Sequence, residues 1–162
     1  MVSGHGRILA VDPGSVRLGL AISDVDRRLA SPLTTYTRRD AAQDAAYFKR
    51  IVSEEEVGLL VVGLPIHEDG SEGGQAKAAR AFGAWLGDVT GVSVVFYDER
   101  FTSFEADNAL ADIGLTKKQR KARRDRVAAQ ILLQTYLDTE VPRAKTCQPD
   151  APATDSATRP TS

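Results

Sequence analysis

A chain of 162 residues is long enough for one domain with its own hydrophobic core, because domains of about 100 to 150 residues are the commonest size. Hydrophobic residues make up 42% of the sequence and charged residues 27%, a balance that excludes wholesale disorder. The net charge of -1 gives no overall attraction to phosphate, so a nucleic-acid partner would have to be held by a local concentration of Lys and Arg.

The first part of the chain is predicted to form three neighbouring antiparallel strands. Arg7–Asp12 contains an unbroken apolar run, which is typical of a strand buried on both faces, and it ends at the turn signal Asp-Pro-Gly. Residues 18–23 and 29–36 are shorter, partly alternating runs separated by a polar stretch. This pattern favours a strand meander that returns beside the first strand.

From residue 40 onward the pattern alternates between helix and strand. Apolar residues at helical spacing predict a helix over residues 40–55, and residues 57–62 indicate another buried strand. Three further helices and one strand follow, with helices predicted over 76–86, 104–113 and 125–137 and the strand over 92–97. The order βββαβαβαα predicts an α/β fold in which a mixed five-stranded sheet is flanked by helices.

The C-terminal segment has almost no large apolar residue, so it cannot offset the entropy of its own ordering. We therefore expect a folded domain over residues 1–140 and a disordered tail over 141–162. The only cysteine, Cys147, lies in this tail and excludes an internal disulfide framework. No apolar run approaches the roughly 20 residues that span a bilayer, and residues 1–6 do not resemble a secretory signal. These features predict a cytoplasmic protein with no membrane partner.

Acidic residues follow two of the predicted core strands. Asp12 closes the first strand, and ligand sites in open α/β sheets lie outside the carboxyl ends of the strands. Asp12 could equally support the Pro-Gly turn. Asp98 and Glu99 close a later strand, and alternation allows only one of this pair to point into a shared site. The alternative for these two is a solvated strand end.

Asp125 is the third candidate acid. On a helix it shares a face with apolar and aromatic residues at spacings of three and four, namely Ala128, Ala129, Leu132 and Tyr136. A carboxylate that faces inward is costly unless it is paired or bound to a metal ion. The alternative is an acid at a helix N-terminus, favoured by the helix dipole and paired with a nearby Arg.

Seven basic residues are concentrated immediately around Asp125, and they are Lys117, Lys118, Arg120, Lys121, Arg123, Arg124 and Arg126. In a nearly neutral protein such a run indicates a phosphate-binding surface, although a solvated helix face is the usual alternative. Thr116 and Gln119 could form a capping box, which leaves open whether the segment is a helical turn or a loop. Arg17 and Arg100 flank the acids and could bind phosphate, pair with the acids, or both.

At these residues the sequence resembles the YqgF/RuvX proteins, a family of Holliday junction resolvases and of nucleases that mature the 5′ end of pre-16S ribosomal RNA. The resemblance covers residues 6–138 and rests on four motifs in the same order. They are Asp-Pro-Gly-Ser-Val-Arg-Leu-Gly at 12–19, Val-Gly-Leu-Pro at 62–65 with Gly70 following, Asp-Glu-Arg-Phe-Thr-Ser at 98–103, and Asp-Arg-Val-Ala-Ala-Gln-Ile-Leu-Leu-Gln-Thr-Tyr at 125–136.

The resemblance implies a ribonuclease H-like fold in which Asp12, one acid of the Asp98-Glu99 pair, and Asp125 bind Mg²⁺ or Mn²⁺. We favour Glu99 over Asp98 because its longer side chain can reach across one strand. In the more distant RuvC-type resolvases the strand corresponding to the one that ends in Val62-Gly63-Leu64 carries an acid that this chain lacks. The second carboxylate must then come from the following strand.

The predicted function is metal-dependent endonucleolytic cleavage of structured nucleic acid, with the basic segment holding the substrate backbone. Within the family, precursor ribosomal RNA is favoured over branched DNA. A junction resolvase needs a two-fold homodimer to cut two strands symmetrically, whereas RNA trimming works as a monomer. Two other classes remain as alternatives. One is an actin-like or sugar-kinase phosphotransferase, and the other is a protein that binds structured RNA without cutting it.

Overall fold

The computed structural model describes residues 6–14, 16–101 and 114–141. Five strands and three helices follow one another in this part of the chain. They are β1 (Arg7–Asp12), β2 (Arg17–Ser23), β3 (Ala30–Thr37), α1 (Ala41–Glu54), β4 (Val57–Leu64), α2 (Gly74–Thr90), β5 (Val94–Asp98) and α3 (Lys117–Glu140). A single 3-10 turn, Glu99–Phe101, follows β5. The helix predicted over residues 104–113 and most of the predicted tail lie outside the described residues.

The five strands form one mixed sheet in the order β3-β2-β1-β4-β5. β1 pairs antiparallel with β2, which pairs antiparallel with β3, as the meander predicted. On its other side β1 pairs in parallel with β4, and β4 with β5. The predicted α/β fold with a mixed five-stranded sheet is therefore confirmed. Because β1, β4 and β5 are parallel, their carboxyl ends meet at one edge, where Asp12, Leu64 and Asp98 lie.

Helices cover both faces of the sheet, which explains why β1 is apolar on both sides. Leu9 and Val11 pack in the core formed with α1 and α2, where Phe48 and Phe82 are buried. Ile8 and Ala10 pack in the opposite core, against the apolar face of α3. By the same alternation Asp12 continues on the α3 face of the sheet. No helix in the described ranges is long and apolar enough to cross a membrane.

The last helix differs from the prediction, because α3 begins at Lys117 and not at Asp125. Thr116 caps it in a complete capping box, in which the Thr116 hydroxyl oxygen accepts a hydrogen bond from the Gln119 backbone N–H and the Gln119 side-chain oxygen accepts one from the Thr116 backbone N–H. The basic segment is thus the first part of a 24-residue helix. Asp125 lies inside α3, so the helix-start position predicted for it is wrong.

Candidate nuclease site

Asp12 lies at the carboxyl end of β1 between two glycines on the neighbouring strands. Gly19 of β2 pairs directly with Asp12. Gly63 of β4 lies on the other side, one residue beyond the paired Val11 and Val62. Both glycines lie where the other two predicted acids approach. A side chain on Gly63 would collide with the Glu99 carboxylate, and one on Gly19 would collide with the Asp125 backbone.

Asp12 and Glu99 are in direct contact through their carboxyl groups. Burial of Asp12, the charge of Glu99, a hydrogen bond between the two side chains and the charge of Asp125 together raise the pKa of Asp12 to about 8. Asp12 thus keeps its proton near neutral pH, since two close carboxylates resist joint ionisation. Glu99 reaches this position from the 3-10 turn after β5, across the space that Gly63 leaves open.

Asp125 approaches the same end of the sheet from α3. Its backbone lies against Gly19, which brings this turn of α3 close to the strand carrying Arg17. The carboxylate of Asp125 accepts a hydrogen bond from Arg17 Nε at 2.9 Å and keeps 29% of its side-chain surface exposed. Asp125 is therefore half-buried and paired with a strand arginine. It is close enough to Asp12 to contribute to the raised pKa of that residue.

Asp98, the alternative to Glu99, has a different partner. Its carboxylate accepts hydrogen bonds from Arg100 Nε at 2.9 Å and from the Arg100 backbone at 2.8 Å. Arg100 also contacts the carbonyl groups of His67 and Glu68 in the loop before α2. Its guanidinium group holds the pKa of Asp98 below the ordinary value by hydrogen bonding. Asp98 thus fixes Arg100 and the 65–73 loop, while Glu99 lies beside Asp12.

The donor set at this edge suits a hard divalent cation, because Asp12, Glu99 and Asp125 offer only carboxylate oxygens. The raised pKa of Asp12 beside Glu99 also marks a place where a cation would relieve charge repulsion. Among the described residues, no three His, Cys, Asp or Glu side chains already converge as a ligand cluster. The Asp125 carboxylate is paired with Arg17. The joint role of the three acids as metal ligands stays a prediction.

The first two turns of α3 present a basic surface next to these acids. Four of the seven predicted cations are exposed, and they are Lys117, Lys118, Lys121 and Arg124. Arg120 donates to the carbonyl of Leu115 at 2.9 Å and helps to fix the entry to the helix. Because the basic surface and Asp125 belong to one helix, their relative positions are set by helix geometry.

The two glycines were not predicted as functional positions. Glycine inside a strand weakens the strand and often marks a close approach of another backbone or side chain. Gly19 and Gly63 both lie inside apolar strand runs, so this signal was present in the sequence. Pairing of Arg17 with an acid was among the sequence-based alternatives, but its partner Asp125 lies 108 positions away and no local signature identifies it.

Comparison with protein families gives a match to one family model over residues 6–139, and its description is "RuvX: Holliday junction resolvase". Relatives provisionally named pre-16S rRNA nuclease align over most of the chain. The protein of Rhodopirellula baltica is 44% identical over 133 residues, which is 82% of this chain and 77% of the relative. That of Anaeromyxobacter dehalogenans strain 2CP-1 is 42% identical over 136 residues, or 84% and 99% of the two chains.

Among solved structures, the chain is similar to Thermus thermophilus RuvC in complex with a Holliday junction substrate. The TM-score is 0.53 at 17% sequence identity, and the match covers 84% of this chain and 97% of the RuvC chain. At this identity the likeness concerns the fold alone. It supports the ribonuclease H-like fold predicted from the sequence.

Proposed function

This chain belongs to the RuvX family, and on that premise we propose that it is a metal-dependent endonuclease that cuts structured nucleic acid. The observation that carries this proposal is the contact between Asp12 and Glu99 at the carboxyl ends of parallel strands. Two carboxyl groups in contact, one of them desolvated enough to keep its proton near neutral pH, are costly to maintain unless they serve a purpose. Its position at the open edge of the sheet, beside a basic helix, suits the binding of a phosphodiester.

Asp12 and Glu99 would hold a divalent ion, Mg²⁺ or Mn²⁺, with Asp125 as the third carboxylate. A bound ion of this kind supplies an activated water molecule and charge stabilisation for the leaving oxygen. The chain's own part is to position the carboxylates. β1 fixes Asp12 between two glycines, the 3-10 turn directs Glu99 across Gly63, and Gly19 lets α3 bring Asp125 close. Arg17 neutralises Asp125 in the protein without metal.

The exposed cations on α3 would hold the sugar-phosphate backbone of the substrate. The aligned relatives are named for pre-16S ribosomal RNA, whereas the family description names the Holliday junction. We assign precursor ribosomal RNA as the substrate and processing of its 5′ end as the reaction. The oligomeric state of the protein distinguishes the two substrates, because resolution of a four-way junction requires paired active sites in a homodimer.

The experiment is cleavage of a precursor 16S 5′-leader RNA and of a synthetic four-way DNA junction by purified protein, with Mg²⁺, with Mn²⁺ and with chelator. We expect cleavage of the RNA with either metal and none with chelator. Asp12→Asn should abolish it, and Asp88→Asn, which changes an exposed Asp on α2, should not. Cleavage in chelator, or full activity of Asp12→Asn, would exclude the proposed metal site.

A non-catalytic RNA-binding protein is the second candidate, because the described acids do not yet form a closed ligand cluster. A non-catalytic RNA-binding protein should bind the leader RNA without metal and without cleavage, and Asp12→Asn should leave that binding intact.

The junction-resolvase alternative has a separate test. Light scattering of the free protein distinguishes a monomer from the homodimer that junction resolution demands.

A further inference from the structure

A cleft with a volume of about 460 Å³ opens next to the acid pair, between the loop after β1 and helix α2. Its size lies within the range of small-molecule sites, about 300 to 1,000 Å³. Three kinds of group line it. Apolar surfaces come from Pro13, Pro65 and the small exposed part of Phe82, a guanidinium group from Arg38, and an amide from Gln75. Glu99 forms the wall toward the acids.

Arg38 is held in place at this cleft from several sides. Its Nη1 donates to the carbonyl of Gly14 at 3.2 Å, and its guanidinium carbon lies 5.1 Å from the centre of the Phe82 ring. Its Nε is 4.0 Å from the carboxylate of Asp44, which is almost completely buried. The guanidinium plane therefore has a defined position before any ligand arrives.

Asp44 in turn is fixed by the end of β3. It accepts hydrogen bonds from the Tyr36 hydroxyl at 2.7 Å and from the Arg39 amide at 2.9 Å. These two donors stabilise the buried carboxylate of Asp44, because a buried carboxylate without partners would be costly. The cleft thus has a basic wall at Arg38, which follows β3 and is supported by Asp44 of α1, and the acid site itself does not require this wall.

The location of the cleft limits what it can hold. Pro13 and Gly14 follow Asp12 directly in the chain, and Glu99 borders both the cleft and the acid pair. A group in the cleft is therefore adjacent to a phosphate held at the acids. Planar bases stack on aromatic rings and on arginine planes, and a glutamine amide can both donate to and accept from a base edge.

We propose that this cleft binds the base of an unpaired nucleotide next to the phosphodiester that is cut. An unpaired base can enter the cleft alone, whereas a paired base would bring its partner strand against α2 and the loop after β1. The enzyme would then select places where a duplex meets a single strand. This inference rests on the proposed nuclease function and adds a determinant of where the substrate is bound.

The test measures binding and not cleavage, so that it separates from the nuclease proposal. The probes are a blunt RNA duplex and the same duplex with a single-stranded adenosine extension, both fluorescently labelled and titrated in Ca²⁺ buffer. Ala78→Leu fills the cleft from the exposed side of α2 with a good helix former. Ala84→Leu makes the same change at an exposed alanine of α2 outside the cleft. Arg38→Met removes the charge and keeps the length.

We expect wild type and Ala84→Leu to bind the extended duplex about tenfold more tightly than the blunt one. This ratio corresponds to the stacking contribution of one base. Ala78→Leu and Arg38→Met should lose this preference and bind the blunt duplex as wild type does. Equal binding of both probes by wild type, or an unchanged preference in a folded Ala78→Leu or Arg38→Met, would overturn the inference. Circular dichroism monitors folding, and Arg38→Met decides alone if Ala78→Leu does not fold. Failure of the nuclease proposal would appear separately, as absence of metal-dependent cleavage.

Discussion

Gly19 lies directly against the backbone carbonyl of Asp125, although the two residues come from opposite ends of the folded chain. The contact joins β2 to the third turn of α3 at the level of Asp12, with which Gly19 pairs. Because the neighbour is backbone, it cannot move aside as a flexible side chain would. The absence of a side chain at residue 19 therefore determines how closely α3 approaches the sheet edge.

Gly19→Ala should push α3 away from β2. We expect a loss of about 1 to 3 kcal/mol in the free energy of unfolding, as for other overpacked core positions. Thermal and urea denaturation measure it. Gly74→Ala is the matched control, because a side chain there meets nothing within 4 Å, and it should leave stability nearly unchanged. Equal stability of the two variants would show that α3 can shift at little cost.

Gly63→Ala should displace the Glu99 carboxylate and leave the fold intact. The added methyl group would meet the movable end of Glu99 and a methyl group of Leu132 at 3.1 Å. We expect Mg²⁺-dependent cleavage to fall about 100-fold, as for other small misplacements of a catalytic group. The thermal midpoint should change much less than in Gly19→Ala. Full activity of Gly63→Ala would mean that Glu99 is not needed where the structure has it.

Asp12→Asn should stabilise the metal-free protein in a pH-dependent way. The native state keeps a proton on Asp12 up to about pH 8, whereas the unfolded chain loses it near pH 4. Stability of the wild type therefore falls as pH rises through this window. Asparagine cannot ionise, so it avoids the cost of deprotonating residue 12 in the folded protein. Its amide can still donate a hydrogen bond to Glu99.

We expect Asp12→Asn to exceed the wild type by on the order of 1 to 3 kcal/mol at pH 8 and to equal it near pH 4. Urea denaturation in chelator at several pH values measures the difference. Asp88→Asn is the control, and the difference between its free energy of unfolding and that of the wild type should not grow from pH 4 to pH 8. A constant difference between wild type and Asp12→Asn across the window would contradict the raised pKa of Asp12.

The basic surface of α3 should govern the salt dependence of binding. If it neutralises phosphates, log affinity for leader RNA falls by about 0.7 to 0.9 per log unit of salt for each contact. The test variant replaces with Ala the four exposed cations, Lys117, Lys118, Lys121 and Arg124. The slope should flatten, and stability should change little, as for most surface substitutions.

A control variant removes the same charge elsewhere on the surface. It replaces with Ala four other exposed cations, Arg28, Lys49, Arg50 and Lys77. We expect this control to keep the wild-type slope. If both variants flatten it equally, net charge and not the α3 surface attracts the RNA.

The strands were predictable because buried apolar runs such as that of β1 are unambiguous when turn signals bound them. Alternation also placed Glu99 opposite Asp98, and the structure has Glu99 beside Asp12 and Asp98 beside Arg100. The start of α3 was placed wrongly because its first two turns are basic and show no apolar period. The capping box of Thr116 and Gln119 was the better signal, since helix starts are fixed by local hydrogen bonds.

The support of Arg38 could not be predicted from sequence. It depends on Asp44, an acid on α1 that looks like an ordinary helix-surface residue and is buried only because the end of β3 folds over it. Such a partnership is decided by tertiary packing, which propensity and periodicity do not contain.

Because α3 is continuous from Lys117 to Asp125, it fixes the distance between the start of the basic surface and the acids. At 1.5 Å per residue, the eight residues between them span about 12 Å, which equals three to four base-pair rises of a duplex. A phosphate bound at the start of the helix would thus lie at a fixed distance from a phosphate bound at the acids. The place of the cut would then be set by the distance along the substrate backbone from the phosphate bound at the start of the helix. Any base sequence could meet this requirement.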